Sequence, residues 1–466
     1  MDNTNNSSIT PIAFTALTIS SIFTTSNLPT LGTSGGKLIF YLIITAILFF
    51  IPLTIVVAEL STTEGYGTNV FSWISYSFGD KIGLSTTFWE WLQAIVMSIP
   101  MLYFVTGTFS YALSAPEMNS NPLYKAFVCI FFYLFLVCLQ ITEPKFVIKI
   151  EAFGFWFCVI GPLIICFILG IIYALNVRSL PFPIEKSSFI PPLNSKETLL
   201  NFVPFVLSLT GVEACGPFIN RLKNINKDFP KAILIVIITV IFTNLIGSSS
   251  IAIIFPVDKI DLSTGFINTV DFLFKYFGIP LVFARLIAFF IVLGLLPKVS
   301  NWVISPALAL QNSAADGLLP KYFIYENSIK TPTYTLCYQG FLFIILILLL
   351  SLSKSGNTAF LVAIYLDVAI YSCVYIFIFL SYIKSTFKNR NSKNIFNIPI
   401  FIKRIIGFLA LFTMFFILFA SFLPPASIPK NEINLYFGIL IPCFIFIILA
   451  PFIFQYFYKN KKLENK

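Results

Sequence analysis

Three ionisable residues lie deep inside long apolar stretches of the sequence: Glu213, Lys298 and Asp367. A charge is costly within a lipid bilayer, so an ionisable residue in a membrane-spanning segment usually marks a substrate or ion pathway. Four further ionisable residues lie nearer the ends of their apolar stretches: Glu59, Glu90, Glu151 and Arg285. Those positions favour snorkelling of the charged group toward the membrane surface. The three deep residues are therefore the first candidates for a functional site.

Lys298 and Asp367 each precede an aromatic residue by one helical turn. Trp302 follows Lys298, and Tyr371 follows Asp367 with Tyr375 a further turn along. Their segments are predicted to cross the membrane in the same direction, so both charges fall at a similar depth. Two arrangements remain open, an ion pair beside a substrate cavity or two separate watery pockets. The aromatic side chains could line that cavity for an apolar or ammonium group, although such stripes are more often simple packing.

Two apolar stretches are interrupted by small and polar residues. Residues 18–36 contain a run of hydroxyl side chains, Pro29 and several glycines, and residues 208–218 contain Gly211 and Pro217 around a single carboxylate. Irregular backbone is tolerated in a membrane only where it lines a cavity or is covered by protein. Broken helices at matching places in two halves indicate a transporter binding site. The two stretches are five predicted spans apart, as an inverted five-plus-five repeat requires. The alternative is ordinary glycine and proline kinking.

The composition predicts that membrane helices position these residues. Of 466 residues, 58% are hydrophobic and only 11% are charged, against about 25% charged in soluble domains. A helical span needs about 20 mostly apolar residues. We predict an all-α membrane protein of about twelve spans, at residues 11–31, 38–60, 83–113, 123–141, 149–175, 198–218, 232–255, 279–309, 334–352, 358–383, 405–423 and 434–457. Residues 1–466 form a single transmembrane domain, with a first repeat at about 11–175, a second at about 198–383 and two additional helices at about 405–457.

Charge placement predicts the topology and argues against several functions. The net charge is +10, but Lys and Arg fall mostly in alternate short loops, which places both termini inside and disfavours nucleic acid as a partner.

The chain has no His, which excludes imidazole metal ligands and His pH switches. Eight Cys lie in apolar stretches without metal-ligand spacing, so we expect buried thiols, no metal and no cofactor. Three tryptophans are interpreted as interfacial anchors: Trp73, Trp89 and Trp91.

Five stretches of the sequence resemble the amino acid–polyamine–organocation superfamily, and specifically the bacterial glutamate/γ-aminobutyrate antiporters. The similarity covers nearly the whole chain. The stretches are P-T-L-G-T-S-G at 29–35; A-E-L at 58–60 with G-x-N-V-F-S-W at 67–73; L-Q-A-I-V-M-S-I-P-M-L-Y-F-V at 92–105; G-V-E-A at 211–214 with K-N-x-x-K-D-F-P at 223–230; and S-F-L-P-P at 421–425.

The resemblance implies a LeuT-like fold in which helices 1 and 6 are unwound around the amino and carboxylate groups of an amino acid. A helix N-terminus offers free N–H groups to such a carboxylate. The resemblance assigns gating or coupling to Glu213, and we add Asp367 to that role. The resemblance also suggests Trp302 as a cavity aromatic residue, with Tyr371 and Tyr375 gating or contacting the substrate. Together with the residues of the two interruptions and the deep lysine, the candidate substrate-binding residues are Thr24, Thr25, Ser26, Gly211, Glu213, Ala214, Lys298, Trp302, Tyr371 and Tyr375.

Three positions depart from the pattern of the glutamate/γ-aminobutyrate exchangers. Those proteins have Glu where this chain has Lys298, a small polar residue in place of Asp367, and Tyr in place of Leu28. A lysine near the pocket favours an anionic substrate side chain unless Asp367 neutralises it. The acid-resistance exchangers also have a longer C-terminal tail. A short tail and the lack of His lead us to expect weak acid gating.

The sequence leaves three functions open. The leading one is a secondary antiporter of the bacterial inner membrane, monomeric or homodimeric, that exchanges glutamate for γ-aminobutyrate or a related amino acid by alternating access. The second is a proton-coupled uptake permease for neutral or cationic amino acids, in which Lys298 replaces a coupling cation. The third is an amino-acid sensor that does not cycle. An enzyme is disfavoured because no nucleophile–base constellation can be assembled.

Overall fold

The computed structural model of the chain describes residues 9–142, 154–177, 180–183, 185–192, 195–313, 319–320, 323–353, 355–388 and 395–464. Within these residues every regular element is a helix, and a single isolated β-bridge joins Ile9 to Leu222. The prediction of an all-helical membrane fold is confirmed.

The helices vary in length because several transmembrane segments are built from short pieces. The α-helices are α1 (Pro11–Ile22), α2 (Leu28–Gly32), α3 (Leu38–Thr45), α4 (Ile51–Thr62), α5 (Val70–Phe78), α6 (Asp80–Ala112), α7 (Pro122–Thr142), α8 (Gly161–Val177), α9 (Lys186–Phe189), α10 (Lys196–Leu200), α11 (Phe202–Leu207), α12 (Gly216–Ile219), α13 (Ile225–Ala252), α14 (Gly265–Tyr276), α15 (Leu281–Ser313), α16 (Thr333–Leu350), α17 (Gly356–Phe387), α18 (Ile400–Ser421) and α19 (Ile433–Glu464). Turns of 3₁₀ helix lie at Thr25–Asn27, Gly35–Lys37, Pro116–Ser120, Val212–Cys215, Val257–Lys259 and Lys430–Glu432, and π-helical turns at Ala46–Phe50 and Gly154–Ile160.

Eleven segments of the described chain are long and apolar enough to cross a membrane. They are Gly35–Thr62, Asp80–Ala112, Pro122–Thr142, Trp156–Val177, Lys196–Ile219, Ile225–Ala252, Leu281–Ser313, Thr333–Leu350, Gly356–Phe387, Ile400–Ser421 and Lys430–Tyr456. The predicted first span is not among them because residues 11–32 form a 12-residue helix, a 3₁₀ turn and a 5-residue helix. The count of twelve therefore stays a prediction.

Two long helices, α6 and α17, form the centre of the bundle. In their most apolar windows, 94% of α6 and 89% of α17 is buried, against 33% in α18 and 22% in the last segment. The sequence of α6 explains its position, because polar side chains such as Gln93 would be costly against lipid. The outer helices instead present large apolar side chains, such as Phe412, to the lipid. Residues on α6 and α17 can therefore face a site inside the protein.

The interpretation of the three tryptophans as anchors exposed at the membrane surface is wrong, because their indoles are enclosed by protein. All three are buried, and each indole N–H donates inside the protein: Trp73 to the carbonyl of Gly67 at 3.2 Å, Trp89 to the carbonyl of Ile448 at 3.1 Å and Trp91 to Oε1 of Gln339 at 2.9 Å. A buried indole N–H needs such an acceptor. Trp89 and Trp91 thus attach α6 to α19 and α16, whereas Trp73 attaches α5 to the loop before it.

Glu59 is also buried rather than snorkelling. Its Oε2 lies 2.6 Å from the ammonium of Lys403, which is equally buried, so the pair joins α4 to α18. The position of Glu59 near the end of its span wrongly suggested that its carboxylate reaches the membrane surface. A lysine on another helix neutralises that carboxylate inside the protein. Arg285 is exposed, as expected, whereas Glu151 lies outside the described residues.

All eight cysteines are free thiols, as predicted, but not all are buried. Cys129, Cys158, Cys166 and Cys215 are buried, Cys373 and Cys443 are half-buried, and Cys138 and Cys337 are exposed on the outer surface of the bundle. An apolar stretch of sequence fixes membrane location but not which side of a helix faces lipid, so the prediction of buried thiols is wrong for the last two.

Candidate functional site

The first interruption is a true break in the helix. Helix α1 ends at Ile22 because Phe23 and Thr24 adopt extended backbone conformations, with φ/ψ of −70°/131° and −140°/136°. A 3₁₀ turn follows before α2 begins. Residues 21–27, which include the last two residues of α1, are called the N-terminal break below. The hydroxyls of residues 24–26 are buried: Thr24 Oγ1 and Ser26 Oγ lie 3.1 Å apart, whereas Thr25 Oγ1 has no hydrogen-bond partner among the described residues. A buried hydroxyl without a partner is costly, which makes it a ready contact for a ligand.

The second interruption lies against the first. Residues 208–215, called the central break below, connect α11 to α12 through Gly211, which has φ of +106°. A Cβ atom on Gly211 would lie 3.2 Å from the carbonyl oxygen of Ser21 and 3.6 Å from Cα of Ile22. Only glycine allows both this backbone conformation and this close approach. The two breaks, which the sequence placed five spans apart, are therefore in contact.

Glu213, in the central break, is held by two tyrosines of α17. Its side chain is 6% exposed and accepts hydrogen bonds from the hydroxyl of Tyr371 on Oε1 and from that of Tyr375 on Oε2, the second at 2.9 Å. The Tyr375 hydroxyl also accepts the N–H of Gly211 at 3.3 Å, and the two tyrosine rings lie 4.6 Å apart. These four residues are called the Glu213 cluster below. The tyrosines thus bind protein groups rather than forming a free aromatic wall.

Lys298 reaches the other break. Its side chain, on α15, is 4% exposed, and its ammonium donates a hydrogen bond to the carbonyl oxygen of Phe23. Phe23 follows the last residue of α1, where carbonyl oxygens no longer have partners within the helix. A cation is favourable at this end of a helix because the helix dipole is negative there. Lys298 therefore links α15 to the N-terminal break.

Asp367 has a different partner, so the hypothesis of an ion pair with Lys298 is wrong in this conformation. Its side chain is fully buried, and Oδ1 accepts a hydrogen bond of 2.5 Å from the amide of Gln93 on α6. Oδ2 has no partner among the described residues. Equal depth did not bring the two charges together, because α17 directs Asp367 toward α6 while Lys298 points to α1. The alternative of two separate watery pockets is not observed either, because both side chains are buried and each has its own protein partner.

Two residues of α6 were missed as site residues. Gln93 lies in the stretch 92–105, where it is a lone amide among apolar residues. Such an amide predicts a buried polar contact, which the structure shows with Asp367. Glu90, one turn earlier, was interpreted as interfacial, yet it interacts electrostatically with Glu213 and Tyr371. Its side chain is half-buried. A second carboxylate therefore lies near the Glu213 cluster.

The remaining predicted residues are more open. Ala214 is exposed and Trp302 is half-buried, in contrast to the buried hydroxyls of the N-terminal break. Ala214 lies within the central break, and Trp302 lies one turn beyond Lys298 on α15. The contact of either residue with a substrate stays a prediction.

Comparison with known proteins identifies the kind of site. Residues 9–454 match the sequence family described as amino acid permease. The chain is 34% identical over 454 residues to a glutamate/gamma-aminobutyrate antiporter of Lactococcus lactis subsp. lactis, covering 96% of this chain and 90% of the relative. It is 33% identical over 462 residues to the protein of that name from Lactococcus lactis subsp. cremoris, covering 98% and 92%.

A more distant relative is an uncharacterized transporter of Legionella pneumophila, 28% identical over 433 residues and covering 92% of each chain. The family match over residues 9–454 spans both breaks and the helices that hold them. The resemblance seen in the sequence motifs is thereby confirmed. This chain belongs to the amino acid permease family, within the amino acid–polyamine–organocation superfamily.

Proposed function

We propose that this permease is a secondary antiporter that exchanges glutamate for γ-aminobutyrate or a related amino acid across a bacterial cytoplasmic membrane. The observation that carries the proposal is the contact of the central break with Ser21 and Ile22 at Gly211, in the same N-terminal break that holds the unsatisfied hydroxyl of Thr25. Interrupted helices bring backbone N–H and carbonyl groups to the bundle interior, and an amino acid has an ammonium and a carboxylate to bind them. The names of the two Lactococcus relatives support the choice of glutamate and γ-aminobutyrate.

In this proposal the N-terminal break binds the amino and carboxylate groups of the substrate. The hydroxyls of Thr24, Thr25 and Ser26 are buried there, and Gly211 and Ala214 supply the facing backbone. The side chain of the substrate extends toward α15, where Trp302 lies one turn from Lys298. The ammonium of Lys298 favours a carboxylate at that end, as glutamate has, over an apolar side chain.

The Glu213 cluster is the proposed gate. Its hydrogen bonds join the central break to α17, so the two elements separate only if the contacts of Tyr371 and Tyr375 with Glu213 are broken. Alternating access requires one group of helices to move against another around a fixed site. We assign the coupling role to Glu213 and to Asp367, whose second carboxylate oxygen lacks a partner among the described residues.

A proton-coupled uptake permease is the second candidate, and one contact favours it. The ammonium of Lys298 occupies the carbonyl end of α1, where a bound coupling cation could otherwise lie. A built-in cation would remove the need for a metal ion in the transport cycle. The contact of Lys298 is compatible with exchange as well. The two functions differ in whether transport requires a substrate inside the vesicle or cell.

Transport in liposomes tests the proposal. Purified protein is reconstituted into vesicles loaded with glutamate, γ-aminobutyrate, a neutral amino acid or buffer alone, and entry of labelled glutamate is followed. We expect entry only into vesicles that contain a counter-substrate. Entry into buffer-loaded vesicles under an imposed proton gradient would instead establish the permease. No glutamate entry under any loading would contradict both functions for this substrate.

A matched pair of variants connects the result to the site. Glu213→Gln removes the charge of the Glu213 cluster, whereas Glu64→Gln removes the same charge from an exposed loop residue. We expect exchange to be lost only in the first variant, with both inserted in the membrane at similar levels. Equal exchange by Glu213→Gln and wild type would exclude Glu213 as the gate.

A further inference from the structure

A second buried lysine lies far from both breaks. Lys125, in the first turn of α7, is 6% exposed. Among the described residues its ammonium has no hydrogen-bond acceptor, and the ion pairs closer than 4.0 Å are Lys275–Asp271 and Lys403–Glu59. Its ammonium lies 5.5 Å from the centroid of the Tyr103 ring. A buried cation without an anion is strongly unfavourable, so the lysine either gives up its proton or takes a counter-charge from its surroundings.

The ammonium of Lys125 is directed at the start of α17. A Cβ atom on Gly356 would lie 2.6 Å from Nζ of Lys125. The start of a helix has a partial positive charge and free N–H groups, and α17 is 32 residues long. A lysine is therefore the wrong charge for direct contact with this helix end. Two positive groups that face each other are stabilised by an anion between them.

A small cavity lies at this point. Its volume is about 20 Å³, and its lining includes Tyr103, Ser120, Lys125, Ser351, Ser353 and Gly356. A polar cavity of roughly 10–15 Å³ or more on this measure holds one water molecule. The space therefore admits one particle of that size, such as a monatomic anion, but excludes a phosphate group or an amino acid.

The nearby carboxylates are already engaged. Glu432 accepts the N–H of Ser355 at 3.1 Å and the hydroxyl of Ser353 at 3.2 Å. Asp261 interacts electrostatically with Lys125, but its Oδ1 accepts the N–H groups of residues 263 and 264 and a serine hydroxyl, each at 2.8 Å. Neither carboxylate lies within 4.0 Å of the lysine. The positive charge in the cavity is thus not neutralised by direct contact.

We propose that this cavity is a binding site for one halide-sized anion, chloride in particular, held between the ammonium of Lys125 and the N-terminus of α17. The site lies at the end of the bundle opposite the N-terminal β-bridge. The predicted topology places this end of the bundle outside the cell. Its occupant neutralises Lys125 and stabilises the start of the helix that carries Asp367 and the tyrosines of the Glu213 cluster.

Chloride binding is measured on the purified full-length protein by thermal unfolding. Chloride is titrated against gluconate at constant ionic strength, with bromide and sulfate in parallel. We expect the unfolding temperature to rise saturably with chloride and bromide but not with sulfate. Lys125→Met should weaken the apparent chloride affinity by about tenfold or more, because a charge-assisted contact is lost. Lys259→Met, at an exposed lysine, is the matched control and should keep the wild-type affinity.

The wild-type titration alone can overturn the proposal. Equal unfolding temperatures in chloride and gluconate would mean that a water molecule, or nothing, occupies the cavity. An equal rise with sulfate would indicate a general salt effect. If Lys125→Met does not fold, the anomalous signal of bromide in crystals locates the ion directly, and a bromide found elsewhere would refute the assignment.

Discussion

Gly211→Ala tests whether contact between the two breaks is needed for transport. With φ of +106°, an alanine at this position adopts a rare backbone conformation. Such strain amounts to about 1–3 kcal/mol. The added Cβ would also lie 3.2 Å from the carbonyl oxygen of Ser21, so one break must shift by a few tenths of an ångström. The variant therefore disfavours the conformation in which the breaks touch.

The strain energy should produce a measurable change in the rate of glutamate exchange. A shift of 1–3 kcal/mol changes the ratio of two conformations about 5- to 150-fold. We expect glutamate exchange in liposomes to fall by at least about fivefold. Gly278→Ala is the control, because Gly278 also has positive φ, at +67°, but a Cβ there would meet nothing within 4 Å. It should share the loss of stability while retaining exchange near the wild-type rate.

Two outcomes would refute this reasoning. Wild-type exchange by Gly211→Ala would mean that the contact between the breaks does not matter for the transport cycle. An equal loss of exchange in Gly278→Ala would mean that general destabilisation, rather than the contact at Ser21, lowers the rate. Thermal unfolding of both variants in the same detergent separates stability from transport.

Three further substitutions test the contacts around the site. Lys403→Met should destabilise the protein by about 3–5 kcal/mol because it leaves the charge of Glu59 buried alone, and thermal unfolding should show recovery when Glu59→Gln is added. Gln93→Leu should lower exchange by removing the only described hydrogen bond of Asp367, and Asp367→Asn in the same chain should not lower it much further if the two act as a unit. Tyr375→Phe should reduce exchange with little loss of stability, since it removes two hydrogen bonds between α17 and the central break; unchanged exchange would contradict the proposed gate.

The positions of the breaks could be predicted because their causes are local. Glycine, proline and hydroxyl residues interrupt an apolar run wherever they occur, and Gly211 carries the positive φ that the central break requires. The family could be predicted for the same reason, since its motifs are continuous stretches. Twelve spans were harder to predict, because an interrupted segment has the composition of a span without being one long helix.

Partners across the bundle could not be predicted, because sequence gives the depth of a residue but not the direction that its helix side faces. Lys298 and Asp367 share a depth yet face different helices. Glu59 and Lys403 are 344 positions apart, and nothing local to either residue indicates the other. Rotation of each helix about its axis is set by packing, which involves many residues at once.

The length of α17 has a consequence for how the two ends of the protein communicate. Fifteen residues separate Gly356 from Tyr371, which corresponds to about 22 Å along an unbroken helix. Both residues belong to one regular hydrogen-bonded rod that runs to Phe387. A displacement of its outer end along the axis is therefore transmitted to the tyrosine hydroxyls without any relay of side chains. The helix α17 thus couples its two ends by moving as one rigid body, and this coupling requires only that the residues between them remain helical.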